Sequence, residues 1–254
     1  MSNALDRGKL RAYTNARVGL RRAGTSLATA DLLDMALCLA EARDAIHAEL
    51  STVSLRRQLE ELGLQIFSVR SAARDRTEYL RRPDLGRRLS PDGRAMLESC
   101  RPTQGQLPAL SGVPRLVVVV ADGLSAIAVE RHAVPVIKAL LPLLADWQVE
   151  PVVVAEQARV AIGDEIGEIL QATATLLLIG ERPGLSSPDS LGAYLTWAPR
   201  VGRDDAERNC ISNIRPEGLG YERAAGKIAG YLAQARKLGF TGVALKEEPG
   251  QLEG

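Results

Sequence analysis

The chain has 254 residues, of which 46% are hydrophobic and 25% charged, and its 32 basic and 31 acidic side chains leave a net charge of +1. A chain of this length buries roughly three quarters of the surface that its unfolded form exposes, so its core needs no metal or disulfide. The charge balance argues against broad nucleic-acid binding, and the lack of a long apolar run argues against a membrane span or an export signal. Three widely spaced cysteines and two histidines argue against a disulfide framework, a zinc site or a histidine-rich centre.

The first 110 residues are predicted to form a helical region that ends in a linker. Apolar residues at spacings of three and four predict a first helix, with Thr29 as its cap. Gly63 ends the second helix, and Ser90 followed by Pro91 opens the third. An arginine-rich stretch over 70–88 would ordinarily be a solvated face, but its internal apolar residues suggest an ordered contact surface. Helices are predicted over 29–49, 51–61 and 90–100, an extended piece over 64–69 and a linker over 102–114.

Residues 111–254 are predicted to form an α/β domain, because strands alternate with helices. The apolar run over 116–121 is typical of a strand that is covered on both faces. Alternation of this kind favours a Rossmann-like, mostly parallel sheet with flanking helices, here preceded by the smaller helical N-terminal region. Pro135 and Pro142 should kink or divide one helix, and the segment from 181 to about 220 is predicted to be long and irregular. Strands are predicted over 116–121, 149–155, 174–180 and 243–245, and helices over 125–145, 163–171 and 221–238.

Ligands of open parallel sheets bind beyond the carboxyl ends of the strands. Three such ends are predicted here, at 121–125, 156–160 and 180–188. None of them carries a glycine-rich phosphate loop, so a nicotinamide or ATP site has little support.

Each candidate residue also has an ordinary structural interpretation. Asp122 and Gly123 could form a plain turn with Ser125 as a helix cap. Glu181 could form a local ion pair with Arg182, and Cys210 could be a small buried hydrophobe. His47 is expected to be a solvated or interface side chain.

Five separate blocks of the chain, in order, resemble the small (light) subunit of ethanolamine ammonia-lyase. The resemblance covers roughly residues 16–246. The blocks are Tyr79 to Leu89 (YLRRPDLGRRL), Ala121 to Ser125 (ADGLS), Arg159-Val160 with Gly163 to Leu170 (RV and GDEIGEIL), Leu178 to Leu185 (LIGERPGL) and Arg208 to Ile214 (RNCISNI).

The resemblance implies the smaller chain of a hetero-oligomeric, adenosylcobalamin-dependent carbon–nitrogen lyase that converts ethanolamine to acetaldehyde and ammonia. It implies that a large subunit binds ethanolamine and carries most of the radical machinery, and that the cobalamin, with its cobalt, lies between the two chains. It also places corrinoid contacts at Val160, Glu181 and Cys210. All three lie at or after predicted strand ends, where the argument from the sheet independently expects a ligand.

Neither histidine lies in the Asp-x-His-x-x-Gly element that replaces cobalamin's own axial base in other proteins, so the cofactor is expected to retain that base. No catalytic acid, base, nucleophile or protein metal ligand is assigned to this chain, since the cofactor supplies the reactivity. Glu165, Glu168 and Asp189 are expected to act as helix caps or dipole partners. Arg87 and Arg88, with the N-terminal helices, are candidates for docking on the large subunit.

Two other classes of function stay open from the residues alone. A free-standing α/β enzyme that uses a nucleotide should turn over its substrate without a partner, and a non-catalytic corrinoid-binding module should bind cobalamin without a lyase partner. A cytoplasmic location is expected. Because only a short segment precedes Ala16, residence in a bacterial microcompartment is the less secure expectation.

Overall fold

A computed structural model describes residues 16–101 and 112–245. Seven α-helices lie in this part of the chain: α1 Thr29–His47, α2 Thr52–Glu60, α3 Arg76–Arg81, α4 Pro91–Ser99, α5 Ala126–Leu140, α6 Ile162–Ile169 and α7 Tyr221–Leu238. The strands are β1 Arg22–Ala23, β2 Ser26–Leu27, β3 Ile66–Arg70, β4 Arg115–Ala121, β5 Gln148–Glu156, β6 Ala174–Gly180, β7 Leu191–Trp197 and β8 Arg208–Ile214. Short 3-10 turns cover Leu85–Arg87, Leu141–Leu143 and Asp205–Glu207.

The main sheet has six strands in the order β3-β5-β4-β6-β7-β8. Strands β3, β5, β4 and β6 are parallel neighbours. Strand β7 runs antiparallel to both β6 and β8. The protein is therefore an α/β protein as predicted, but its sheet is mixed.

Helices cover both faces of this sheet. One face packs against α2, α5 and α7 through side chains such as Leu59, Ile137 and Ile228. The other packs against α4 and α6 through Leu97 and Ile166. Because β4 and β6 are buried along their whole length, they need the continuous apolar sequences that predicted them.

Most predicted elements are confirmed within a few residues. Ser90 and Ser125 cap α4 and α5 by accepting hydrogen bonds from backbone N–H groups, as expected. Helix α5 continues through Pro135 and ends before Pro142, which lies in the 3-10 turn that follows. The prediction of Thr29 as a cap is wrong, because Ala28 occupies that position and no side chain caps α1.

Two predictions about the second half are also wrong. The segment after β6 is not irregular, since it contains β7 and β8. Residues 243–245 do not form a strand but belong to a turn against the backbone of Ala206 and Gly242. The extended piece predicted at 64–69 is strand β3, which pairs with β5 and so brings the N-terminal region to the edge of the main sheet.

The predicted linker lies largely outside the described residues, so the division into regions 1–110 and 111–254 stays a prediction. No helix in the described part of the chain has the length and apolar character to cross a membrane.

Candidate functional site

The carboxyl ends of β4 and β5 are joined by a buried carboxylate. Asp122 accepts hydrogen bonds from the backbone N–H groups of Gln157 and Ala158, at 2.9 and 3.0 Å. Burial raises the pKa of the Asp122 carboxyl, and these two bonds together with Arg76, 3.4 Å away, oppose the rise. Asp122 is thus a structural tie rather than an exposed ligand group.

Two glycines allow β4 and β6 to end in contact with each other. A Cβ atom on Gly180 would lie 2.0 Å from the carbonyl oxygen of Ser125. Gly123 has a φ of +57°, and a Cβ atom there would lie 2.2 Å from the Gly180 oxygen. The turn interpretation of Asp122 and Gly123 is therefore confirmed, and the turn forms one wall of a cleft.

This strand-end cleft has a volume of about 400 Å³ and contains two of the three predicted site residues, Val160 and Glu181. Val160 follows β5 and Glu181 follows β6, so the rule about strand ends correctly places both side chains at one edge of the sheet. The lining consists of Tyr79, Gly123, Leu124, Arg159, Val160, Ile179, Gly180, Glu181, Arg182 and Tyr194.

Glu181 is half-buried and is held by its own sheet. Its Oε2 atom accepts hydrogen bonds from the Ser190 hydroxyl and from the backbone N–H of Asn213, the latter at 3.2 Å. The alternative of a local ion pair with Arg182 is wrong, because no such pair forms among the described residues. Within the same part of the chain Oε1 accepts no hydrogen bond, so Glu181 presents a fixed carboxylate with a free acceptor atom.

Cys210, the third predicted residue, lies on β8 opposite Tyr194 of β7. Its side chain is exposed, so the alternative of a small buried hydrophobe is wrong. Tyr194 lines the strand-end cleft and is the cross-strand partner of Cys210, whose Sγ atom lies 3.4 Å from the Ser212 hydroxyl. Cys210 therefore borders the cleft through Tyr194, whereas Val160 and Glu181 line it directly.

A second cleft, of about 460 Å³, adjoins the first and is here called the arginine cleft. Arg159, Val160 and Tyr194 line both clefts, so the two form one continuous depression. The lining of the arginine cleft comprises Pro83, Arg87, Arg159, Val160, Ala161, Tyr194, Arg203, Asp204, Asp205 and Arg208.

Tyr79 and Arg159 are site residues to which the sequence analysis gave no ligand role. Tyr79 is fully buried and donates a hydrogen bond to the Ala158 carbonyl at 3.0 Å. The guanidinium carbons of Arg76 and Arg159 lie 4.8 and 4.4 Å from the centre of its ring. Burial raises the pKa of Tyr79, so its hydroxyl stays protonated at neutral pH. Both residues stood in the blocks of the resemblance; Arg159 also lay in the predicted strand end at 156–160, and Tyr79 in the stretch predicted to be a contact surface.

A buried ion pair fixes the wall between α6 and β8. Arg208 donates two hydrogen bonds of 2.8 Å to the two carboxylate oxygens of Asp164, and the side chains are 2% and 3% exposed. Arg208 also donates to the Arg203 carbonyl at 2.8 Å. Because Val160 lies just before α6 and Cys210 lies on β8, this pair sets the separation of two predicted site residues.

The carboxylates predicted as caps have different roles. Asp189 forms an ion pair with Arg131 at 2.8 Å and lies 3.4 Å from His132 Nε2, so the capping prediction is wrong there. Glu165 lies in the first turn of α6, which confirms the predicted helix-dipole position, and its carboxylate also accepts from the Leu89 N–H at 2.8 Å and pairs with Arg94. Glu168 accepts from the backbone of a neighbouring loop rather than capping a helix.

Neither histidine lines the clefts. His132 is buried in α5, with its Nδ1 atom 2.9 Å from the Tyr221 hydroxyl, and His47 is exposed at the end of α1 as expected. Within the described residues, no group of three or more histidine, cysteine or acidic side chains is arranged to hold a metal ion.

Comparison with known proteins identifies the family. Residues 6–246 match the model of the ethanolamine ammonia-lyase light chain. The chain is 51% identical over 242 residues to the ethanolamine ammonia-lyase small subunit of Azotobacter vinelandii, which covers 94% of this chain and 87% of the relative. The small subunit of Xanthomonas campestris pv. campestris is 52% identical with the same coverage. The small subunit of Pseudomonas syringae pv. tomato is 49% identical over 94% of this chain and 82% of the relative. The chain belongs to the ethanolamine ammonia-lyase light-chain family.

Proposed function

We propose that this chain is the small subunit of an adenosylcobalamin-dependent ethanolamine ammonia-lyase, active only as a complex with the large subunit. In that complex it would help to convert ethanolamine to acetaldehyde and ammonia. The observation that supports the proposal best is the strand-end cleft, where Val160 and Glu181 come from different strand ends and line one surface, with Cys210 at its border.

The residues present fit a corrinoid. The corrin ring carries amide side chains, which are hydrogen-bond donors, and the free Oε1 atom of Glu181 is a suitable acceptor for them. Val160 offers an apolar contact beside it. Because Ser190 and Asn213 already fix Oε2, the carboxylate loses little conformational freedom on binding.

The size of the cleft also supports a role for a partner chain. The strand-end cleft has a volume of about 400 Å³ and the adjoining arginine cleft about 460 Å³, sizes that suit drug-sized ligands, and a corrinoid is larger than such a ligand. This chain would therefore cover only part of the cofactor, and the large subunit would enclose the rest. A non-catalytic module that binds cobalamin by itself is less consistent with so open a surface.

Adenosylcobalamin, when bound, supplies the radical chemistry through its cobalt–carbon bond. The residues of this chain would hold and orient the corrin and exclude water from one side of it. No acid, base or nucleophile is required of them, since the cofactor supplies the reactivity.

We also propose that the cofactor keeps its own axial base. His132 is buried with Nδ1 engaged by Tyr221, and His47 lies on the exposed end of α1. Electron paramagnetic resonance of the cob(II)alamin form of the complex should show coupling to the benzimidazole nitrogen. Coupling to a protein imidazole would contradict this.

The decisive experiment is co-expression of the chain with an ethanolamine ammonia-lyase large subunit. Acetaldehyde formation from ethanolamine should require both chains and adenosylcobalamin, whereas turnover by the isolated chain would favour the rival free-standing enzyme. Glu181→Gln should weaken cobalamin binding to the complex by about tenfold, since it replaces a charged acceptor by a neutral one. Arg223→Gln, an exposed change on α7, is the matched control and should leave binding unchanged.

A further inference from the structure

We propose that Arg159 binds the phosphodiester of the corrinoid's nucleotide loop, so that the depression formed by the two clefts recognises the cofactor by its single anionic group. This inference rests on the proposed function and adds a residue and a ligand atom to it. The corrin's other polar side chains are neutral amides, which need no cation. On such a ligand, the phosphate is the group that matches a half-buried cation best.

Arg159 lines both clefts, and no carboxylate balances its charge; Arg87 and Arg182, which also form no ion pair among the described residues, each line only one of the clefts. Arg76, which also lies against the Tyr79 ring, is 3.4 Å from Asp122, and Arg208 is paired with Asp164. Within residues 16–101 and 112–245, no acidic side chain lies within ion-pair distance of Arg159, and its buried Nε atom has no hydrogen-bond partner. The two Nη atoms of Arg159 also have no hydrogen-bond partner among these residues and, unlike Nε, are not buried, so a bound acceptor can reach them.

The nearby acidic groups are already engaged. Asp204 caps the 3-10 turn by accepting from the N–H groups of Ala206 and Glu207, and Asp205 lies 3.4 Å from Arg208. They contribute to the lining of the arginine cleft without neutralising Arg159.

The guanidinium of Arg159 is positioned before any ligand arrives. Its carbon lies 4.4 Å from the Tyr79 ring centre, and its backbone N–H donates to the Gly86 carbonyl at 2.7 Å. A Cβ atom at Gly86 would lie 2.8 Å from Arg159 Cγ, so the stem of the side chain packs closely against that turn. Since the stem is held on two sides, little rotamer entropy is lost when the planar donor group meets a phosphate.

The start of α6 cannot take the phosphate instead. The N–H groups of Ile162 and Gly163 already donate to the carbonyls of Arg159 and Val160, at 3.0 and 3.1 Å. The N–H of Asp164 likewise donates to the Ala161 carbonyl at 3.2 Å. The side chain of Arg159 is thus the group available to an anion at the boundary of the two clefts.

The test compares three corrinoids on the assembled two-chain complex. Cyanocobalamin carries the whole nucleotide loop, cobinamide phosphate carries a phosphate without ribose or base, and cobinamide carries neither. Arg159→Gln should weaken the binding of cyanocobalamin and of cobinamide phosphate by about tenfold or more and leave the binding of cobinamide unchanged. Absorbance titration measures each affinity. Arg159→Lys keeps the charge and loses the planar donor group. Its affinity for cyanocobalamin and cobinamide phosphate should lie between that of Arg159→Gln and that of the wild type.

The outcomes separate this inference from the function it rests on. If the wild-type complex binds none of the three corrinoids, the proposed function fails. If it binds them and Arg159→Gln alters all three equally or none, only the role of Arg159 is overturned. Loss of subunit assembly without corrinoid, in both Arg159 variants, would show that Arg159 instead binds a carboxylate of the large subunit. Arg223→Gln serves as the control in each measurement.

Discussion

The buried pair between Arg208 and Asp164 should dominate the stability of the site. Replacing Arg208 by Met removes a charge whose side chain is 2% exposed and leaves Asp164, 3% exposed, without its two hydrogen bonds of 2.8 Å. Breaking a buried pair in this way typically costs about 3–5 kcal/mol. Because whole domains are stable by only about 5–15 kcal/mol, Arg208→Met should be visibly destabilised at pH 7.

The loss should depend on pH with a defined sign. Burial raises the pKa of Asp164, and Arg208 opposes that rise, so the pKa should climb further in the variant. A carboxyl whose pKa is raised in the folded state binds more protons there than in the unfolded state, so its penalty shrinks as pH falls. The difference between Arg208→Met and wild type should therefore narrow between pH 7 and pH 5, by at most about 1.4 kcal/mol per pH unit.

Denaturant unfolding followed by circular dichroism measures these differences. The double variant Asp164→Leu with Arg208→Met should recover much of the loss, because no charge is then left buried. Arg56→Met, which breaks an exposed pair on α2, is the control and should change the free energy of unfolding by less than about 1 kcal/mol. The reasoning is refuted if Arg208→Met costs no more than Arg56→Met, or if the double variant is no more stable than Arg208→Met.

Three further predictions concern the cleft and its supports. Gly180→Ala should destabilise the chain by about 2 kcal/mol or more and weaken corrinoid binding, because the strand ends must separate. Gly226→Ala on α7, where space is open, is the control and should stabilise the chain by about 0.5–1 kcal/mol. Equal effects of the two variants on the free energy of unfolding would contradict this. Burial lowers the pKa of His132, so the wild type should lose stability as pH falls below about 6.5, and His132→Gln should lose less over the same range in thermal unfolding. Exposed Cys210 should react quickly with a thiol reagent in the free chain and be protected in the cobalamin-loaded complex. Mass spectrometry measures the labelling, and equal labelling in both states would argue against a cofactor contact at Cys210.

The parallel part of the fold could be predicted because each element carries its own local pattern. The apolar run of β6 and the amphipathic pattern of α7 coincide with the elements found. Strands β7 and β8 were missed because their sequences are locally ambiguous. Strand β8 begins with Arg208 and Asn209, whose burial is stabilised by Asp164 on α6 and by the backbone of Gly242, contacts that no short window contains.

The candidate site was predictable to a similar degree. Val160 and Glu181 follow strands, so the strand-end rule places them without any knowledge of tertiary contacts. Tyr79 comes from the N-terminal region, and its hydrogen bond to Ala158 spans a long stretch of chain. The isolated position of Arg159 depends on which carboxylates lie nearby, and that is a property of the folded molecule alone.

The position of β3 at the sheet edge constrains how the chain is made. Residues Ile66 to Arg70 hydrogen-bond with Val152 to Glu156, and β5 is synthesised after β4. At about 5–20 residues per second, β3 leaves the ribosome several seconds before its partner exists. During that interval its apolar residues need protection, so nascent-chain folding should begin only once β5 has emerged, and chaperone contacts should concentrate on the earlier segment.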